Sequence, residues 1–332
     1  MNVALLSRWH VHAATSDGRY VKEFLSHPGN KVVCVWDENK KIAEEWGKEF
    51  NCDWTTEMET VLSREDVDGV IVTSEPAMHR KIFVAAAEHK KHIFTEKVLS
   101  FTLEDAYAIR DAIKKNDVKF CISFMRLAAK QFSYAKTLLD REILGVPIMF
   151  RCICGHCGGL NGSLPEYWFD PGICGGGAMI DLGFNSTYLA QYIMGEIDSV
   201  SSSFGYYLHK KVEDNASCNV KFRNGAMGVL EATFTSPLMS VFELSVYGTK
   251  GAYYARFGGG DIAQLHLEGK AVETIPLDSI ELQVPSPMQA WIDSCSSGVS
   301  NELYGIEAAI DLVKYMNAAY QSALADGKRV KL

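Results

Sequence analysis

Four groups of residues in this chain combine type and spacing in ways that can do chemistry. The first is Asp181 with Asn185, in the stretch Gly175-Gly176-Gly177-Ala178-Met179-Ile180-Asp181-Leu182-Gly183-Phe184-Asn185. One carboxylate stands among apolar residues behind three glycines, and an amide follows four residues later. On a helix that interval puts both side chains on one face, where they can meet a single hydroxyl-rich molecule. Asn donates and accepts hydrogen bonds but takes no proton near neutral pH, so this pair can hold and orient a hydroxyl without deprotonating it. The second group is Glu96-Lys97 in "FTEKV", at the end of a strand-like run. A lysine there can bond a hydroxyl and stabilise charge on oxygen as a hydride leaves or arrives. The third is Asp37, which closes "KVVCVWD" and either accepts hydrogen bonds from a ribose or caps the helix that opens in "WDENKK". The fourth is "RCICGHCGG", with Cys152, Cys154, His156 and Cys157. Residues 152, 154 and 156 share one face of a strand, yet the spacing is not that of a structural zinc site. No metal is expected there; the cysteines read as small apolar residues, and His156 as a proton-transfer or ligand-contact candidate.

These groups need elements to carry them. Over residues 1–120 short β-branched runs alternate with amphipathic segments. "NVALLS", "KVVCVWD", "VDGVIVTS", "HIFTEK" and "KFCISF" read as strands, and 18–27, 39–50, 78–89 and 103–116 as helices. That alternation predicts right-handed βαβ units, a doubly wound parallel sheet, and a ligand site beyond the carboxyl ends of the strands. The first domain is placed at 1–122 and a second at 123–332. The second is expected to open with a helix near 128–140 and a strand in "VPIMFRCICGHC". A helix over 178–193 and several consecutive strands separated by "RNGA" and "GTKGA" follow, so the second half reads as α+β with a mostly antiparallel sheet. The last helix, in "EAAIDLVKYMNAAYQSALADG", is expected to close at Gly327.

A dinucleotide-binding sheet usually has G-x-G-x-x-G after its first strand. Here the turn is "LSRWHVHAA", without glycine. Ser7 and Trp9 take the first two glycine positions. Backbone N–H groups around Ser7, Arg8, Trp9, His10 and Val11, or the side chains of Arg8, His10 and His12, are left to meet a pyrophosphate. Ser74, Glu75 and His79 stand at the next strand end but one. Beside each functional reading stands a structural one, in which such a His or Lys caps a helix or faces solvent.

Composition narrows the rest. The chain has 332 residues, enough for two domains, and a net charge of -8 that disfavours nucleic acid as a partner. Nine scattered cysteines fit reduced thiols in a cytoplasm, and no apolar run approaches the ~20 residues of a membrane span. A run of "NVALLS" straight after Met1 gives no sign of a signal peptide.

In order along the chain, these segments resemble the Gfo/Idh/MocA family of NAD(P)-dependent sugar and cyclitol oxidoreductases. The family's T-P-N-x-x-H is similar to Ser74-Glu75-Pro76-Ala77-Met78-His79, and its G-K-H-V-x-x-E-K-P to Lys90-Lys91-His92-Ile93-Phe94-Thr95-Glu96-Lys97-Val98. Met125-Arg126 resemble the segment leaving the nucleotide domain, and Gly175–Asn185 the G-G-G-x-x-x-D-x-G-x-H run. "VEDNA", "VYGTKGAYY" and the closing "AAYQSALADGKRVKL" also look like family segments. The resemblance implies a nucleotide domain followed by an α/β domain whose open sheet forms homodimers or homotetramers. It implies a nicotinamide coenzyme held by the glycine-poor turn, Asp37, Ser74, Glu75, His79, Glu96, Lys97 and Arg126. Asp37 favours NAD over NADP, because it repels a 2′-phosphate. Lys97, Asp181, Asn185, Trp168 and Tyr188 are implied to line the substrate site. The family's proton-accepting His is Asn185 here, and Tyr188 stands where a second Asp is common. Three readings of that departure are open: Lys97, Tyr188 or His156 moves the proton in an ordinary dehydrogenase; NAD is recycled during glycoside cleavage or elimination; or the fold has become a sugar and NAD sensor. The first is preferred, because Lys97, Asp181 and Trp168 remain in matching places.

Overall fold

A computed structural model describes residues 1–10, 18–237, 240–258 and 260–332. The chain divides into two units, Met1–Ser123 with Ser286–Val313, and Phe124–Pro285 with Lys314–Leu332. A single cut near residue 122 therefore leaves out the return of 286–313 to the first unit.

The first unit runs β1 (Asn2–Leu6), α1 (Arg19–Ser26), β2 (Lys31–Trp36), α2 (Lys40–Phe50), β3 (Asp53–Thr55), α3 (Met58–Leu62), β4 (Gly69–Val72), α4 (His79–Glu88), β5 (His92–Thr95), α5 (Leu103–Lys115) and β6 (Phe120–Ile122). The six strands form one sheet in the order β3-β2-β1-β4-β5-β6, every pair parallel. This is the doubly wound order, reversing at β1 and β4. β4 is buried at every residue, as a strand covered on both faces must be. The helices carry their own start signals: Asn39 caps α2, and the Thr102 hydroxyl accepts from the Asp105 N–H to start α5.

The second unit runs α6 (Lys130–Asp140), β7 (Pro147–His156), α7 (Pro171–Cys174), α8 (Phe184–Met194), β8 (Ile197–Gly205), β9 (Asn215–Phe222), β10 (Met227–Thr233), β11 (Ser240–Gly248), β12 (Gly251–Phe257), β13 (Ile262–Leu267) and β14 (Glu273–Thr274). The chain then adds α9 (Pro287–Ser297) to the first unit, and continues through α10 (Ile306–Leu324) to β15 (Val330–Lys331). Nine strands pair in the order β14-β13-β12-β11-β7-β10-β9-β8-β15. β7 and β10 are parallel, and the other strand pairs with a recorded register are antiparallel, so the sheet is mixed but mostly antiparallel. One face packs on α6 and α8, with Phe150, Cys152, Leu230, Leu244 and Val246 buried at its centre.

One local element differs from expectation. The helix expected over 178–193 opens with a π turn, Met179–Gly183, before α8 begins at Phe184. Asp181 lies in that wider turn and Asn185 in the first turn of α8, so the four-residue interval of an unbroken α-helix does not describe their relation.

Candidate active site

In the first unit the carboxyl ends of β1, β2 and β4 bound an open cleft of about 240 Å³, lined in part by Ser7, Arg8, Trp9, Asp37, Ser74 and Glu75. The glycine-free turn is held by its neighbours. Ser7 takes a left-handed backbone, φ 65°, which glycine adopts freely and serine only when the surroundings fix it. Its N–H donates to Trp36 O at 2.8 Å, and its carbonyl accepts the Thr73 hydroxyl at 2.5 Å. The His10 N–H donates to Thr73 O at 3.0 Å. Val11 and His12 lie outside the described residues.

Asp37 is 7% exposed, and its two carboxylate oxygens accept the N–H groups of Arg8 at 2.9 Å and Asn39 at 2.8 Å. The cap of α2 is Asn39, which accepts from Lys41 and Ile42 at 3.0 and 3.3 Å, so the capping alternative for Asp37 is corrected. Each Asp37 oxygen keeps a further lone pair, enough to accept from a ribose diol in the cleft. Arg8 does not offer a spare cation to a phosphate, because its guanidinium is paired with Glu49 at 2.9 Å. Glu75 is half-buried; desolvation pushes its carboxyl up, and the charges of Glu38 and Asp37 push it further. An acidic rim of this kind disfavours a 2′-phosphate.

Ser74 is 3% exposed, and its hydroxyl has no hydrogen-bond partner among the described residues. A buried, orphaned hydroxyl on the wall of a cleft is what a ligand would satisfy. With Asp37 for a ribose and Trp36, Ile42 and Met78 as apolar walls, the cleft suits the adenosine part of NAD.

His79, expected to face a coenzyme, is instead fully buried. Its Nδ1 faces Val98 O at 2.6 Å and its Nε2 faces Ser74 O at 3.2 Å. Burial pushes the imidazole down to about 4, although the carbonyls around it favour the charged ring. His79 therefore ties the loop after β4 to the loop after β5, and acts on any ligand only through those loops. Glu96 is committed in the same way. One carboxylate oxygen accepts the hydroxyl of Tyr20 from α1 and the other the N–H of Lys97 at 3.1 Å. Tyr20 also lies 2.5 Å from the Ser123 hydroxyl. Lys97, half-buried, is the second residue after β5, and its bond to Val98 is cis.

The second unit gathers a different set. Asn185, in place of the family's His, is half-buried and tied to its neighbours. Its Oδ1 accepts the Tyr188 hydroxyl at 2.9 Å, and its Nδ2 donates to Leu182 O at 3.1 Å and lies 3.9 Å from Cys154 Sγ. Tyr188 is 3% exposed, stacks on Phe124, and accepts the Arg126 N–H at 2.9 Å. The Arg126 guanidinium lies over the rings of Phe242 and Phe257, at 5.0 and 4.2 Å from their centroids. Asp181 is half-buried in the π turn, and Trp168 sits in a short 3-10 turn, Glu166–Phe169, whose end is fixed by Asp170 capping α7. His156 ends β7, stacked on Phe234, and its Nδ1 accepts the Gly158 N–H at 3.0 Å. That bond places the neutral ring's proton on Nε2, making His156 a donor. Among the described residues no group of three His, Cys, Asp or Glu side chains is placed to hold a metal ion, and burial pushes the Cys152 thiol up.

Two acids of "VEDNA" are buried and bound to backbone N–H groups of the second unit. Glu213 and Asp214 are 1% and 0% exposed. Asp214 accepts the N–H groups of Tyr207 and Leu208. Glu213 accepts those of Gly177 at 3.1 Å and Met179 at 2.9 Å, and the hydroxyl of Tyr320 at 2.6 Å. The run of three glycines has the same origin. Gly175 ends α7 with φ 78°, a Cβ on Gly176 would lie 2.0 Å from the Tyr320 hydroxyl, and one on Gly177 would lie 1.8 Å from Glu213 O.

The parallel sheet with its strand-end cleft defines a dinucleotide-binding unit, carried in one chain with a mixed-sheet unit. Residues 14–124 match the family model described as an oxidoreductase family with an NAD-binding Rossmann fold, and 132–254 match the GFO/IDH/MocA C-terminal domain. The chain belongs to the Gfo/Idh/MocA family. It is 29% identical over 259 residues to scyllo-inositol 2-dehydrogenase (NAD(+)) of Bacillus subtilis, covering 76% of this chain and 74% of that one. It is 23% identical over 265 residues to levoglucosan dehydrogenase of Pseudarthrobacter phenanthrenivorans, covering 72% and 67%. A solved levoglucosan dehydrogenase, in complex with NADH and levoglucosan, shares the fold with a TM-score of 0.88 at 21% identity, over 100% of this chain and 99% of that one.

Proposed function

We propose that this protein is a dehydrogenase that moves a hydride between NAD and a CH–OH or keto carbon of a sugar, cyclitol or glycoside. The observation that carries the reading is the strand-end cleft with Asp37 accepting at its wall, in a chain of this family. The polyol class follows from the relatives named for inositol and levoglucosan. NAD, when bound, supplies the hydride acceptor. In oxidation the substrate hydroxyl would give its proton to a protein group. We assign that proton to Lys97. Asn185 does not titrate, the Tyr188 hydroxyl is committed to Asn185, and His156 already carries its proton on Nε2. Asp181 and the His156 N–H hold substrate oxygens, and Trp168 offers an aromatic wall to the apolar face of a ring.

The protein is assigned to the cytoplasm, where cysteine thiols stay reduced. Among the described residues no helix is long and apolar enough to cross a membrane. It is further assigned as a homodimer or homotetramer.

The test is a titration with NAD and NADP followed by a polyol screen reading nicotinamide absorbance. NAD is expected to bind more tightly than NADP, and Lys97→Ala to lower turnover by about 100-fold or more while NAD still binds. Bound NAD with no absorbance change across sugars, cyclitols and glycosides would overturn the dehydrogenase reading.

A further inference from the structure

The Asp181 side chain acts only if its π turn is held, and the structure contains a device for holding it. The turn begins at Met179, one residue beyond the glycine run, and its opening N–H groups lack partners within the helix, as at any helix start. Glu213 supplies them. Its carboxylate accepts from the Gly177 N–H with both oxygens at 3.1 Å and from the Met179 N–H at 2.9 Å, while its backbone carbonyl accepts the Ala178 N–H at 2.9 Å. Three successive residues before Asp181 are thus bound to one buried acid. A carboxylate is well suited to this place, since a helix start carries partial positive charge. The close approach requires Gly177, as shown by the 1.8 Å that a Cβ there would leave to Glu213 O.

Tyr320, from α10, completes the arrangement. Its hydroxyl donates to Glu213 Oε1 at 2.6 Å and lies 3.2 Å from the Gly177 nitrogen, and its ring packs edge-on against Phe204 at 4.9 Å. We propose that Glu213 and Tyr320 are positioning residues that fix the Gly177–Met179 entry of the π turn and thereby set the place of the Asp181 carboxylate. The proposal rests on the dehydrogenase reading for its catalytic consequence, but not for the geometry it asserts.

Burial pushes the Glu213 carboxyl up, while the Tyr320 hydroxyl and the Met179 and Gly177 N–H groups pull it back. Among the described residues the titratable groups that act on it are Tyr320 of α10, Tyr206 of the loop after β8, and Cys218 of β9. Its chain neighbour Asp214 is turned to the N–H groups of Tyr207 and Leu208. Removing the Tyr320 donor removes a group that favours the carboxylate, so the acid form of Glu213 appears at higher pH. In that form one oxygen carries a proton and faces N–H donors, and the entry to the turn loosens.

The experiment uses the full-length protein and Tyr320→Phe, which keeps the ring and removes the hydroxyl. Hydrogen exchange at residues 177–181 is expected to be about ten-fold faster or more in the variant at neutral pH, the scale of one hydrogen bond to a charged group, with exchange elsewhere in unit two unchanged. NAD affinity, a property of the other unit, is expected to stay within about two-fold, since Tyr320 lies outside the cleft. With a polyol that the wild type turns over, kcat is expected to fall about ten-fold, and the acid limb of its pH profile to move to higher pH. Unchanged exchange at 177–181 overturns the proposal whatever the enzyme does with substrate. So does faster exchange spread evenly over the unit, or a kcat loss with an unmoved pH profile, because either is simple destabilisation. Absence of turnover in the wild type counts against the dehydrogenase reading instead, and leaves the exchange result to decide this one.

Discussion

Asn185 gives one acceptor position and one N–H of its amide to the protein, which alters what its substitution does. The side chain gives its oxygen to the Tyr188 hydroxyl and a proton to Leu182 O. Truncating it leaves the hydroxyl of a tyrosine that is 3% exposed without its acceptor. A buried polar group that loses its partner costs about 1–3 kcal/mol. Asn185→Ala is therefore expected to lower stability by that amount in urea unfolding while kcat falls less than about ten-fold, because no proton passes through the amide. Loss of nearly all turnover at unchanged stability would show that Asn185 meets the substrate directly. The same logic separates the two histidines. His156 reads from the sequence as a proton-transfer or ligand-contact candidate and His79 as a coenzyme contact; burial and a pair of backbone carbonyls tie His79 to the loops, and one N–H bond makes His156 a donor.

At the level of elements, His79 joins α4 to the two loops that end β4 and β5. Its pKa in the fold is about 4 against an ordinary 6.5, so the unfolded chain binds the proton more tightly. Stability from this group is fully present above pH 6.5 and is lost as pH falls toward 4, by about 3 kcal/mol in all. Urea unfolding at pH 7 and pH 4.5 measures it. The wild type is expected to lose about 2–3 kcal/mol more between those values than His79→Asn, which keeps a donor near Val98 but does not titrate. Equal losses would mean that the ring is already charged in the fold. The sequence made the principal elements of the first unit readable because period and caps are local signals: Asn39 and Thr102 announce helices that the structure confirms. β3 and α3, three and five residues long, are too short to show a period. α9 carries Ser286 at its cap, Pro287 in its first turn and Gly298 at its end, signals strong enough to have found it. What placed it in the first unit was Trp291, packed between Phe24 and Phe94, and nothing in its local sequence names those partners. The π turn was unreadable for a related reason. It depends on Glu213, 36 residues away from Gly177, whose local context resembles an ordinary turn.

For the molecule as a whole, the second sheet presents a face that its own helices do not cover. Alternation along β10 sends Met227, Val229 and Glu231 to that face, and register aligns Met227 with Met149 of β7 and Tyr247 of β11. Met227 is 61% and Tyr247 43% exposed, an apolar row beside the Arg151–Glu231 ion pair at 3.0 Å. Large side chains left in water on a sheet face favour association with a second copy, and a symmetric contact can satisfy both copies with one surface. The double variant Met227→Asp, Tyr247→Asp puts two charges on that row near Glu231, where pairing would desolvate them. Sedimentation velocity is expected to show a dimer or tetramer for the wild type and a shift toward monomer for the variant. NAD affinity should remain within about two-fold, because the residues lining the cleft all belong to the other unit. A wild type that sediments as a monomer, or a variant that keeps the wild-type assembly, would move the interface elsewhere on the surface. A variant that dissociates and loses turnover while still binding NAD would show that assembly supports residues of the second unit rather than the coenzyme cleft.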